Sequence, residues 1–125
     1  MQDKGTVLVL ADHSLLGALL GLWVETVGAI PVFPRNGQPP EAALEDIAPR
    51  VILVDVEHPA AASDALHEAA ARGRIPVLFV GPARLRERLL HAGARHGARA
   101  FMIPEERTRL GATITAMSNG GPASD

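Results

Sequence analysis

The chain has 125 residues, 47% apolar and 21% charged, which is enough for one globular domain that needs no covalent staple. It contains no cysteine, so disulfides, thiolate catalysis and zinc–thiolate sites are all excluded. A net charge of −2 argues against generic nucleic-acid binding, and the longest apolar run, Leu15–Val24, is too short to span a bilayer.

In chain order, polar Met1–Gly5 leads directly into a strand and carries no signal-peptide pattern, so a cytoplasmic protein is expected. Thr6–Leu10, Ile30–Phe33, Val51–Val56, Pro76–Val80 and Ala100–Ile103 are apolar runs of strand length. The helical patterns between them cover Ser14–Val27, Pro40–Ile47, Ser63–Arg72, Arg84–Ala94 and Glu105–Met117. Ser14 is the expected N-cap of the first helix and Gly28 its stop. Pro39-Pro40 suits the first turn of the second helix, Ala48-Pro49 ends it, and Ser63 caps the third. The domain is expected over residues 1–117, with 118–125 as a flexible tail.

The first, third and fourth strands are continuous Val/Ile/Leu runs rather than alternating ones, as parallel strands covered on both faces require. Five βα units of this length predict an α/β, flavodoxin-like, doubly wound parallel sheet with strand order 2-1-3-4-5. In that order the first and third strands are neighbours, and ligands bind at their carboxyl ends. The segments leaving those strands are A-D-H-S and V-D-V-E-H-P, so Asp12, His13, Asp55, Glu57 and His58 should emerge together. Carboxylates that end buried strands cost desolvation unless a cation or a hydrogen-bond donor compensates.

The stretch A-P-R-V-I-L-V-D-V-E-H-P, residues 48–59, resembles the receiver domain of bacterial response regulators. Pro49 before the strand, Asp55 at its end and Pro59 four residues on match that family's pattern. V-L-V-L-A-D-H-S, followed by a long helix and a glycine, resembles its first strand and helix. The resemblance implies that Asp55 is the phosphoacceptor, with Mg²⁺ held by Asp12, Asp55 and the backbone carbonyl of Glu57. Mg²⁺ takes hard oxygen ligands and neutralises the charge that otherwise keeps a carboxylate from attacking a phosphoryl group. It also implies a histidine kinase, a phosphotransfer protein or another signalling protein as partner.

Three positions depart from that pattern. The first acid of the metal-binding pair falls on Ala11. Gly81 stands where a threonine or serine ends the fourth strand, and Ile103 stands where a lysine precedes proline. Isoleucine cannot make a charge-assisted contact to phosphate. The family's switch aromatic has a counterpart in Phe101, which reads equally as a strand core residue. The expectation is therefore an atypical, stand-alone receiver acting through protein contacts, with a weak Mg²⁺ site and at most self-phosphorylation as chemistry. The alternative is a flavodoxin-like domain that binds a small ligand or a transition metal through Asp12, His13, Asp55 and His58.

No dinucleotide fingerprint, P-loop or nucleophile elbow is present, and no direct nucleic-acid contact is expected. His67, His91 and His96 read as surface residues. Residues 1–64 hold nine acids and three bases, while the remainder holds five acids and nine arginines. That arginine-bearing half reads first as solvated surface and second as a docking face. The first helix is apolar almost all round: Leu16, Leu19, Leu20, Val24 and Val27 suit a buried stripe. Leu15, Ala18 and Leu22 then face outward as an expected interface with a partner helix or a second copy in a homodimer. Gly17 and Gly21 would admit that close approach.

Overall fold

The structure, a computed structural model, describes residues 5–118. Five strands, β1 (Thr6–Leu10), β2 (Ile30–Val32), β3 (Val51–Asp55), β4 (Val77–Gly81) and β5 (Arg99–Met102), form one sheet in the order β2-β1-β3-β4-β5. All neighbours are parallel, with Val7 opposite Val51, Asp55 opposite Val80 and Gly81 opposite Met102. This register aligns the carboxyl ends of the four strands that carry the candidate residues. Helices α1 (Ser14–Thr26), α2 (Pro40–Ile47), α3 (Asp64–Gly73), α4 (Arg86–His96) and α5 (Arg107–Ser118) cover both faces. Short 3-10 turns at Pro59–Ala62 and Ala83–Leu85 precede α3 and α4. Among the described residues no helix is long and apolar enough to cross a membrane.

The core lies in two layers because alternate side chains of each strand point to opposite faces. Val7, Val9, Val51, Leu53, Leu78 and Val80 pack beneath α1 and α5, against Leu20, Val24, Leu110 and Ile114. Leu8, Leu10, Ile52, Val54 and Phe79 pack beneath α2, α3 and α4, against Leu44, Leu66, Ala70 and Leu89. Each fully buried aliphatic side chain contributes about 1.5–3 kcal/mol. Helix caps are worth about 1 kcal/mol each. Packing therefore dominates, and the caps set the helix ends.

The expected caps hold with one exception. Ser63 accepts from the Leu66 amide at 3.2 Å, and Pro40 opens α2 after Pro39. Ala48 ends α2 in the left-handed region at φ 49°. The N-cap of α1, however, is His13 rather than Ser14: His13 is extended, and its Nδ1 accepts from the Leu16 amide at 3.3 Å. An unprotonated ring nitrogen thus does what a serine hydroxyl was expected to do. Ser118 belongs to α5 rather than to the tail, and the rest of the expected tail, 119–125, lies outside the described residues.

Two features of α1 differ from expectation. Gly17 and Gly21 are buried, but they are faced by Phe33 from the segment after β2, not held open for a partner helix. A side chain at Gly21 would place its Cβ 3.2 Å from Phe33 Cζ. Leu19, expected in the buried stripe, is 40% exposed, because the stripe narrows to Gly17, Leu20, Gly21 and Val24. Leu15, Ala18 and Leu22 do face outward, with Leu15 at 77% exposure.

Candidate functional site at the carboxyl end of the sheet

Asp55 ends β3 and is 1% exposed, and Ser118 is the only other buried polar residue among those described. Both carboxylate oxygens are engaged: Oδ2 accepts from the Asp12 amide and Oδ1 from the Glu57 amide, each at 3.0 Å. The loop amides thereby supply the donors that a buried carboxylate needs. The Asp12 amide comes from the neighbouring strand end, so one hydrogen bond joins the two segments singled out by their acids. The Asp55 carbonyl in turn accepts from the His58 amide at 2.9 Å, closing the turn into Pro59–Ala62.

Asp12 is exposed at the mouth of this site. Ala11, next to it, is half-buried against the core and offers no oxygen. Glu57 is half-buried and pairs with Arg84 at 3.5 Å, a bridge from the β3 loop to the turn after β4. Nothing in the sequence singled out that pair, because the two residues come from different loops with no shared spacing.

The β4 and β5 side of the site is apolar. Ile103 is 8% exposed, Phe101 is buried, and the Ile103 amide donates to the Gly81 carbonyl at 2.9 Å. Ile103 and Pro104 are joined by a cis peptide bond. At Gly81 the space of a side chain is already filled, since a Cβ there would lie 2.8 Å from Val56 Cγ1. A threonine would not fit without moving Val56. Leu16, Leu19, Trp23, Ile103 and Pro104 border an apolar groove of about 290 Å³ that opens past this edge.

The histidines do not join the acids as one ligand set. His13 Nδ1 caps α1 and His58 Nδ1 accepts from the Ala60 amide at 2.9 Å, so both rings spend a nitrogen on backbone. Among the described residues no three His, Asp or Glu side chains converge in a way that could hold a metal ion. The donor types Mg²⁺ takes are nevertheless present: two carboxylates and a loop carbonyl, with water able to complete the octahedron.

No family profile matches the chain, and no curated protein is similar to it in sequence. Its structure is similar to solved ones. The chemotaxis protein CheY4 of Vibrio cholerae superimposes with a TM-score of 0.70 at 17% identity, over 92% of this chain and 99% of that one. A response regulator receiver protein from Burkholderia phymatum gives 0.67 at 22% identity, over 98% and 100% of the two chains. The receiver domain of a sensor histidine kinase from Pseudomonas aeruginosa, solved with magnesium coordinated in its active-site cleft, gives 0.68 at 19% identity over 95% and 100%. The chain has the flavodoxin-like fold of response-regulator receiver domains.

Proposed function

We propose that this protein is an atypical receiver module of two-component, phosphorelay-type signalling, acting through protein–protein contact with a histidine kinase, a phosphotransfer protein or another signalling protein. The observation that carries this reading is Asp55: a buried carboxylate at the end of the central strand, oriented by two loop amides beside Asp12. A structural acid needs no second acid next to it, and the receiver fold of the solved neighbours gives that pair a use.

Asp55 is the phosphoacceptor in this reading, and the side chains of Asp12 and Asp55 with the Glu57 carbonyl would hold Mg²⁺. The ion would supply charge neutralisation for phosphoryl transfer. With alanine at position 11 the site has one carboxylate fewer, and with glycine at 81 and isoleucine at 103 no hydroxyl or cation meets the phosphoryl group. Transition-state charge stabilisation is what such groups provide, so self-phosphorylation is slow and the readout of phosphorylation is weak. The module then works mainly as a binding surface, and the outward Leu15, Ala18 and Leu22 of α1 are its contact face for a partner or a second copy.

Backbone amide shifts measured with Mg²⁺ and beryllium fluoride test the phosphoacceptor. Shifts around residues 12, 55 and 81 that vanish in Asp55→Asn are expected; shifts unchanged by that substitution would sink the assignment. For the contact face, Leu15→Glu with Leu22→Glu should abolish partner binding or self-association. Because both side chains are exposed, stability should change by less than about 0.5 kcal/mol.

A further inference from the structure

The histidines that the sequence places on the surface form a feature that Asp55 does not use. His67 of α3 and His96 at the end of α4 stack face to face, with centroids 3.6 Å apart and planes 11° from parallel. Both lie against Phe79, a fully buried ring of β4, at 5.6 and 5.9 Å. His67 Nε2 lies 3.1 Å from the Ala61 carbonyl, which can only accept, so that nitrogen carries a proton. Two imidazolium charges at this separation would repel strongly.

Beside the pair is a recess of about 200 Å³ between the loop leaving β3 and α4. Arg88, His91, Arg95 and His96 line it from α4, and Glu57 and His58 from the loop. Its one carboxylate, Glu57, is engaged by Arg84 at 3.5 Å. His58 accepts through Nδ1, which leaves Nε2–H as a donor. Arg95 has a single exposed partner, Asp64 at 3.8 Å, and Arg88 pairs with no carboxylate among the described residues. The recess is rich in donors and poor in acceptors. It is smaller than the ~300 Å³ at which drug-sized ligand pockets begin, so it suits a small tetrahedral anion.

We propose that this recess binds a dianionic oxyanion of the phosphate class, and that binding is coupled to proton uptake by His96. Guanidinium forks match such oxygens in geometry as well as charge. Burial, then His67 and Arg95, push the His96 imidazole below its usual range, with Asp64 pulling the other way. An anion held by Arg88 and Arg95 cancels the positive charge that opposes protonation, so the ring gains a proton on binding. The charged and titratable groups around the pair are Asp64 on α3, Arg88, His91 and Arg95 on α4, and Glu57 and His58 on the loop. Asp55 does not line the recess, which shares only Glu57 with the phosphoacceptor site.

Sulfate is the probe, because it stays dianionic from about pH 5.5 to 7.5, across the histidine range, and any pH dependence then belongs to the protein. Amide and imidazole shifts of the full chain are followed in sodium sulfate against sodium chloride at matched ionic strength. Saturable shifts at residues 57–62 and 88–96 are expected. Affinity should rise on acidification by up to about tenfold per pH unit for each proton gained. Arg88→Ala with Arg95→Ala should weaken binding by about tenfold or more, the loss of two charge-assisted contacts. His96→Gln should bind at pH 7.5 but lose the pH dependence. Phosphate and glycerol phosphate displacing sulfate equally would assign a free anion, and preference for the ester would assign a phosphomonoester. Shifts that do not saturate, or that saturate at the same sulfate concentration in the arginine variant, would overturn the site, and saturable but pH-independent binding would overturn the coupling.

Discussion

The carboxyl ends of β1 and β3 and those of β4 and β5 lie side by side, yet opposite chemistry fills them. On the first side a carboxylate is buried and both of its oxygens are met by backbone amides. On the second, Ile103 and Phe101 are buried apolar groups, and Val56 occupies the space that a side chain at 81 would take. The difference teaches that the two sides are under different constraints. Asp55 is held by loop amides whose own hydrogen bonds depend on it, whereas the β4–β5 side has been closed by ordinary packing.

Breaking the first side should have the larger effect. Asp55→Ala leaves the part-buried Asp12 and Glu57 amide hydrogen bonds without their acceptor, at a cost of up to about 1–3 kcal/mol each. Equilibrium denaturation should therefore show a loss of about 2–4 kcal/mol, with Asp55→Asn losing less because one oxygen remains. If Asp55→Ala were neutral, the carboxylate would not be the anchor of these loops.

Placing a side chain on the second side should cost less. Gly81→Thr overpacks against Val56 and should destabilise by about 1–3 kcal/mol. In a double-mutant cycle, Val56→Ala should recover part of that loss, since the two side chains compete for one space. Additive behaviour would show that Val56 is not the obstacle.

Adding an acid to the first side sharpens the contrast further. Ala11→Asp places a carboxylate beside Asp12 and should tighten Mg²⁺ binding about tenfold, roughly 1.4 kcal/mol, in a metal titration. Without Mg²⁺ the same substitution should lower stability through like-charge repulsion. An unchanged Mg²⁺ affinity would mean that position 11 does not face the ion, and no binding in either protein would remove the metal site.

The smallest effect is expected away from both sides, at His96. Its imidazole is pushed below the ordinary value of 6.5, so the unfolded chain binds a proton more readily than the folded one. Its contribution to stability is therefore full above about pH 6.5 and falls as the pH drops through that value toward the lower folded one. Denaturation midpoints measured on both sides of this window should converge in His96→Gln. A midpoint that rose on acidification in the wild type would mean that the folded chain binds the proton more readily than the unfolded one.

Much of the fold could be read locally. Continuous Val/Ile/Leu runs, prolines at helix starts and Ser63 as a cap are signals carried by adjacent residues, and the elements they predict lie within two residues of those observed. Asp12 and Asp55 could be read as neighbours because parallel register follows from the βα rhythm. Ser14 misled because its neighbour's ring nitrogen competes for the same amide, which spacing alone does not reveal.

The sequence by itself determined a parallel α/β sheet and which acids, Asp12 and Asp55, reach its carboxyl end. Only the tertiary structure decided that Phe33 covers the glycines of α1, that Val56 fills the place at Gly81, and that His67 and His96 stack on Phe79. The reason is physical. Periodicity and capping act between residues a turn or two apart, while these contacts join residues brought together only when separate layers pack at interior density.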